Sequence, residues 1–252
     1  MIGVSFLEAN LTETNLSGAD LRNADFRNST MVKANLFGAD LSHANFQRCW
    51  LAEANLSECN MLNSQFRGAN MRECRMLESR INSADFTGAA MSGTQLTRSQ
   101  ISDCSFTDAD LSCASFLHAK IHKCRFTAAK MDQVNFMYAH AANCDFRGVQ
   151  AQGGKFTNGN FSQSQFCSSL MPSCDFRQAI LSAADFTGAS VIESSFGGTN
   201  LMATDFRNAS MEGAKELSAQ QLSQVRTSMG TILPNGARGP YSKPAGMPSL
   251  FR

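Results

Sequence analysis

The stretch ANLTETNLSGADLRNADF, residues 9–26, repeats with a period of five. Leu11, Leu16, Leu21 and Phe26 follow one another at five-residue steps, and an Ala or Thr stands two places before each of them. A period of five matches neither the 3.6 residues of a helical turn nor the two-residue alternation of a strand. The stretch therefore indicates a repeat architecture, whose period decides the fold.

The same pattern continues through most of the chain. From Phe6 to Met211 every fifth residue is a centre, which gives 42 centres without an insertion or deletion. All of them are Leu, Ile, Val, Met or Phe except Ala141 and Ala151, and a small residue stands two places before each. The other three positions are mostly polar, with Asn or Asp common directly before the centre. We predict that the centre and the small residue point inward and that the other three face solvent.

A second period of twenty residues is superimposed on the first. One series of phenylalanines recurs every twenty residues: Phe6, Phe26, Phe46, Phe66, Phe86, Phe106, Phe126, Phe146, Phe166, Phe186 and Phe206. A second series, offset by ten, runs from Phe116 to Phe196. Four pentapeptides therefore close one structural unit. This predicts an all-β solenoid with four faces, whose aromatic rings stack along its interior.

Several units fit the pattern A(N/D)LXX, and the chain resembles the pentapeptide-repeat family over residues 4–214. The best matches are Ala19-Asp20-Leu21, Ala34-Asn35-Leu36, Ala39-Asp40-Leu41 and Ala184-Asp185-Phe186. The resemblance implies a right-handed quadrilateral β-helix. About 10 coils of 20 residues, stacked at the inter-strand spacing of about 4.8 Å, would form a rod of roughly 50 Å.

The period stops after Ala214, so we divide the chain into a β-helix (1–214), a C-terminal capping helix (215–230) and a Pro/Gly-rich tail (231–252). The helix is expected from about Ala219 to Met229, with Ser218 as N-cap and Gln221 completing a capping box. The tail holds four of the five prolines and is expected to be extended and flexible. An open end coil presents unpaired backbone groups and is therefore one expected site of a homodimer. The family resemblance implies the C-terminal helix as the alternative site.

Composition excludes several classes of function. The chain of 252 residues has a formal net charge of +1 and no block of like charge, so direct nucleic-acid binding is not expected. No apolar run approaches the length of a membrane span. The repeat is already running at Val4, which leaves no room for a signal peptide. Nine cysteines, an odd number without CxxC pairs, favour a reducing cytoplasm.

No motif in the sequence predicts catalysis. Neither a nucleophile motif, a phosphate-binding loop nor a metal-ligand spacing is present, so we expect a non-enzymatic protein without cofactor or metal. His118 and His122 are four residues apart, but outside a helix this spacing does not place them on one face. Most cysteines occupy the small inward position and are expected to be buried reduced thiols. Cys113 and Cys167 occupy outward positions and are expected to be the more reactive ones.

Apolar residues on the outward positions favour a protein-binding surface. Leu117 and Met137 occupy equivalent positions twenty residues apart. Each is followed by an aromatic or imidazole side chain, His118 or Tyr138. Two further apolar residues lie in the same column, that is, at multiples of twenty positions from them. Together these residues form the predicted strip: Phe37, Leu77, Leu117, His118, Met137 and Tyr138.

The leading functional interpretation is an interaction scaffold, a stiff rod that presents ladders of side chains to an unknown protein partner. The family resemblance implies an alternative, because some members mimic duplex DNA and bind type II topoisomerases. DNA carries one charge per about 1.7 Å, so a mimic of this length needs roughly 30 negative charges. Residues 1–214 carry 17 Lys and Arg against 20 Asp and Glu, a net charge of −3. A bacterial effector with a secretion signal in its tail is a further alternative.

Overall fold

Each five-residue unit contributes one short extended segment and one turn. In the computed structural model, which describes residues 1–242, every residue directly before a centre from Ser5 to Ser195 forms a parallel bridge with the residue twenty positions later. These bridges run from Ser5–Asp25 to Ser195–Lys215 without a change of register. The chain is therefore a β-helix solenoid in which twenty residues, with four turns, make one coil.

The turns are sharp because one residue in each adopts a left-handed conformation. From Gly3 to Gly213, the residue two places after every centre has a positive φ, between 51° and 71°. Gly and Asn adopt this conformation most easily, and both recur at these positions. The Asn or Asp before the centre supports the turn by accepting the N–H two residues later, as Asn15 Oδ1 does from Ser17 at 3.1 Å.

The predicted phenylalanine series forms a continuous stack inside the coil. Neighbouring rings from Phe6 to Phe206 lie 4.6–5.0 Å apart and nearly parallel. The second series, from Phe116 to Phe196, meets the first edge-to-face, as Phe116 and Phe126 do at 5.8 Å. All these rings are buried except Phe6, which is half-buried.

Several of the small inward residues have hydroxyl groups that donate to the neighbouring coil. The hydroxyls of Ser79, Thr94 and Ser99 each donate to a carbonyl oxygen of the preceding coil, at 2.6–2.9 Å. The carbonyl belongs in each case to a centre residue 23 positions earlier in the chain. This bond explains why Ser and Thr are tolerated at fully buried positions, since an unpaired buried hydroxyl would be costly.

In three consecutive coils, one face forms a regular sheet. Its strands are β1 (Arg80–Asn82), β2 (Gln100–Ser102) and β3 (Lys120–His122), paired in parallel in the order β1-β2-β3. Isoleucine occupies a centre only in these three coils, at Ile81, Ile101 and Ile121. Branching at Cβ favours extended backbone. Pairing between these three coils keeps the segment extended for one residue beyond the centre.

The C-terminal helix is shorter than the sequence predicted. Helix α1 spans Ala219–Leu222, and its N-terminus has the predicted capping box: Ser218 Oγ accepts from the Gln221 N–H, and Gln221 accepts from the Ser218 N–H. The prediction of a helix to Met229 is wrong. Arg226 forms a bridge with Asp205, because the last coil offers free backbone groups that pair with an extended segment. Met229 is consequently exposed rather than packed.

The prediction of a flexible tail is wrong for its first part. Thr231 is buried and donates from its hydroxyl to the Phe206 carbonyl at 2.9 Å. Ile232 forms one bridge with Ser210 and another with Arg238. Residues 226–238 therefore cover the last coil, while residues 243–252 of the predicted tail lie outside the described residues.

Candidate protein-interaction surface

Four residues of the predicted strip meet at one corner of the solenoid. Leu117 and His118 form the turn of one coil, Met137 and Tyr138 form that of the next, and the His118 N–H donates to the Met137 carbonyl at 3.1 Å. The left-handed turn residues His118 and Tyr138 have exposed side chains. Their rings stack at 4.9 Å with an interplanar angle of 16°. We name these four residues the apolar corner.

The other two predicted residues lie further along the same column but do not join this corner. Ser57 lies between Phe37 and Leu77, and Thr97 lies between Leu77 and Leu117. Phe37 and Leu77 instead border a separate shallow groove with Glu58. The strip is therefore divided into two surfaces, and the apolar corner is the only one in which its members are direct neighbours.

The ring-bearing and aliphatic members of the apolar corner differ in their exposure to solvent. Tyr138 is 44% exposed, whereas Leu117 and Met137 are half-buried. An exposed aromatic ring beside partly buried aliphatic chains is the composition typical of the centre of protein interfaces. The Met137 N–H is held by Asn135 Oδ1 at 3.0 Å, which fixes the turn that carries these side chains.

Some exposed apolar residues were missed by the sequence analysis. Trp50, the single tryptophan, is 58% exposed at the centre of a face between Thr30 and Asn70, and Leu170 is 55% exposed in the same column. Inspection of every outward column, and not only those with consecutive apolar residues, would have found them. They are isolated from one another, since Trp50 and Leu170 lie six coils apart.

Three of the four histidines lie on or beside one face. His122 belongs to β3, His140 pairs with Lys120 of the same strand, and His118 lies at the apolar corner directly before it. His118 lies in the turn that precedes β3, whereas His122 lies on β3 itself. Within residues 1–242, no three His, Cys, Asp or Glu side chains converge in a way that could hold a metal ion.

Most acidic residues near arginines are neutralised locally. The sequence Asp-X-Arg occurs five times as a bidentate pair within one unit: Asp20–Arg22, Asp25–Arg27, Asp145–Arg147, Asp175–Arg177 and Asp205–Arg207. In Asp20 the hydrogen bonds from Arg22 hold the pKa at about 2. The pairs reduce the negative field of the rod, which disfavours imitation of a polyanion.

The burial of the cysteines follows their predicted positions: the seven at inward positions are buried, and the two at outward positions are not. Burial raises the pKa of Cys49 and Cys144 to about 11, and of Cys59 and Cys174 to about 12. Cys113 is exposed in a left-handed turn. The seven inward thiols thus lie in the interior as small apolar groups.

Cys167 differs from the expectation of a reactive thiol. Its side chain is half-buried, and burial together with the neighbouring Asp185 carboxylate raises its pKa to about 11. A raised pKa lowers the thiolate fraction, and the thiolate is the reactive form. Of the two outward cysteines, Cys113 alone has the exposure expected of a reactive group.

Sequence models of two repeat groups match the chain. The one described as pentapeptide repeats (8 copies) matches residues 5–42, 160–196 and 179–215, and the one described as a pentapeptide repeat region matches 39–116 and 99–171. Together they cover residues 5–215. The chain belongs to the pentapeptide-repeat family. No curated protein matches this pentapeptide-repeat chain.

Three solved structures show similarity to this chain at low sequence identity. HetL, involved in heterocyst differentiation regulation in the cyanobacterium Nostoc, is 20% identical, with a TM-score of 0.46, over 94% of this chain and 92% of its own. QnrB1, a plasmid-mediated fluoroquinolone resistance protein, is 19% identical, with a TM-score of 0.29, over 71% of this chain and 86% of its own.

The third structure is AT2G44920 from the Arabidopsis thaliana thylakoid lumen. It is 17% identical, with a TM-score of 0.30, over 51% of this chain and 83% of its own. At this level of identity and TM-score, none of the three likenesses transfers a function to the present chain.

Proposed function

We propose that this pentapeptide-repeat protein is a non-enzymatic interaction scaffold, a right-handed four-sided rod of about ten coils that binds a protein partner at its apolar corner. The observation that carries the proposal is the stacking of His118 on Tyr138 at 4.9 Å, with the half-buried Leu117 and Met137 directly before them in the chain. Stacked coils hold these side chains in a fixed arrangement. Binding therefore requires little ordering of this surface, which favours affinity.

The proposal is tested by partner capture with the double variant Leu117→Asp, Met137→Asp. Two carboxylates at the apolar corner should abolish capture, because each would be buried without a partner in the interface. Thr107→Asp is the matched control: Thr107 is also half-buried at the first turn position, but at a different corner. Unchanged capture by the double variant would contradict the proposal.

The role of residues 243–252 is tested by comparing the intact chain with a chain ending at Ser242. Removal from Thr231 would be unsuitable, because Thr231 and Ile232 pair with the last coil. If the shorter chain captures the same partner, the apolar corner is sufficient. Loss of capture would assign recognition to the last ten residues, as in the alternative of a secreted bacterial effector.

Topoisomerase binding by DNA mimicry is the rival function. The five Asp-X-Arg pairs and the net charge of −3 over residues 1–214 argue against it. A gyrase supercoiling assay with a quinolone decides between the two functions, and protection of the enzyme would overturn the scaffold proposal. The cytoplasmic location stays a prediction. The homodimer through an end coil or α1 also stays a prediction, and analytical ultracentrifugation would measure the oligomeric state.

A further inference from the structure

The sheet β1–β3 presents a row of side chains with no acidic member. Its outward residues and those of the coil that follows are Arg80, Asn82, Gln100, Ser102, Lys120, His122 and His140. We name this set the basic sheet. All of its members are exposed except Ser102, which is half-buried. Elsewhere the residue after the centre lies in a turn. Here it stays on the strand, so Lys120 and His122 point to the same side of β3.

The cations of the basic sheet are not neutralised by neighbouring carboxylates. Arg80 and Lys120 take part in none of the ion pairs formed within residues 1–242. Asp103 follows the end of β2 at the adjacent turn, and Glu78 on the opposite side pairs with Arg98 at 3.7 Å. The face is thus a local positive surface on a rod of negative net charge.

The basic sheet also has a depression whose side chains can donate hydrogen bonds to an anionic group. Gln100, Ser102, Lys120, His122 and His140 line an open depression of about 400 Å³. The short side chain of Ser102 lies among longer ones and leaves this space. Amide, hydroxyl, ammonium and imidazole groups are all suited to donate to a carboxylate oxygen.

The basic sheet and the apolar corner share an edge. His118 precedes Lys120 by two residues in one coil, and Tyr138 precedes His140 by two in the next. A ligand that crosses this edge meets apolar and aromatic groups on one side and cations on the other. Four coils at about 4.8 Å extend over roughly 15–20 Å, the length of about five extended residues.

We infer that the basic sheet binds an acidic segment of the protein partner, whose apolar side chains contact the apolar corner. The inference rests on the proposed function and specifies the chemistry of the partner: a short peptide segment that combines Asp or Glu with Leu, Ile or Phe. Charge complementarity selects the acidic residues, while the adjacent apolar corner disfavours a nucleic-acid backbone, which offers no apolar side chains.

A synthetic peptide of alternating Glu and Leu, labelled with a fluorophore, tests the inference by anisotropy with the intact protein. Lys120→Glu should weaken binding about tenfold, since it removes one attraction and adds one repulsion. Lys130→Glu is the matched control and should change affinity less than about twofold. Lys130 is likewise an exposed lysine directly before a centre of the same coil, but it lies two faces away. Both residues project into solvent, so unchanged circular dichroism verifies folding.

Two further probes separate the outcomes. A peptide with Gln in place of Glu should bind at least about tenfold more weakly, and salt should weaken the Glu peptide but not the Gln peptide. Equal loss from Lys120→Glu and Lys130→Glu, or tighter binding of duplex DNA than of the Glu peptide, would overturn the inference. If only the double variant Leu117→Asp, Met137→Asp lost the peptide, the proposed function would survive and the basic sheet would be rejected. If only Lys120→Glu did, the apolar corner would be rejected instead.

Discussion

Replacement of Phe126 by Ala should show how strongly the aromatic stack stabilises the coil. Phe126 is fully buried and stacks on Phe106 at 4.9 Å and on Phe146 at 4.7 Å. It also meets Phe116 and Phe136 edge-to-face at 5.8 and 5.9 Å. Other rings therefore border the Phe126 site on both stacked faces and at two further contacts.

The expected cost follows from these contacts. Phe→Ala at a buried site costs about 3–5 kcal/mol, and a site that cannot collapse lies at the upper end of that range. Each aromatic pair adds about 0.5–1.5 kcal/mol beyond the buried area. We expect a loss of about 4–5 kcal/mol in the free energy of unfolding. Phe6→Ala should cost about 1–2 kcal/mol, since Phe6 is half-buried and stacks on Phe26 alone.

Guanidinium denaturation followed by circular dichroism measures both variants, and Phe126→Leu serves as an intermediate that retains most of the apolar surface. In a solenoid each coil contacts only its neighbours, so the loss at Phe126 should divide the transition into two parts or lower its slope. Equal losses for Phe6→Ala and Phe126→Ala, or a loss below about 2 kcal/mol at Phe126, would refute the argument that the central rings determine stability.

Three smaller predictions follow from the turns and the titratable groups. Iodoacetamide at pH 8 should label Cys113 first and Cys167 much more slowly, because the pKa of Cys167 is raised to about 11. Mass spectrometry of the digested protein measures the extent of labelling at each cysteine. Faster labelling of Cys167 than of Cys113 would contradict the prediction. The arginine two residues after Asp175 lowers the pKa of that carboxyl, so its stabilisation is present above about pH 4 and is lost as the pH falls through the lower folded value. The free energy of unfolding should change less between neutral and acidic pH in Asp175→Asn, by under about 1 kcal/mol because Arg177 is exposed to solvent. An unchanged difference would exclude the linkage. Ala128→Gly should stabilise the protein by up to about 1 kcal/mol by relieving its φ of 57°, whereas Ala142→Gly, at a turn position without positive φ, should destabilise it; calorimetry measures both, and a loss at Ala128 would be contrary evidence.

The predictions that depended on residue periodicity agree with the structure. Recurrence of phenylalanine every twenty residues predicted the stack from Phe6 to Phe206, and the strict spacing predicted the twenty-residue coil. Both succeed because in a solenoid residues distant in space are related by a constant difference in sequence number. The capping box of Ser218 and Gln221 was predictable for a similar reason, since its hydrogen bonds join residues three positions apart.

The predictions that failed concern segments whose conformation depends on what they contact. Local propensity predicted a helix to Met229. Instead, the open edge of the last coil forms backbone bridges with Arg226 and Ile232, so the chain is extended there. The division of the strip at Ser57 and Thr97 also depends on which side chains of neighbouring coils touch.

By itself, the sequence determined the coil length and the inward residues, because both follow from the recurrence of residue types every twenty and every five positions. The tertiary structure alone decided that Ile81, Ile101 and Ile121 extend into a sheet and that His118, Lys120 and His140 border one surface. Periodicity specifies a residue's column. Which columns meet across a corner, and whether a chain end finds a partner, depends on backbone pairing between coils.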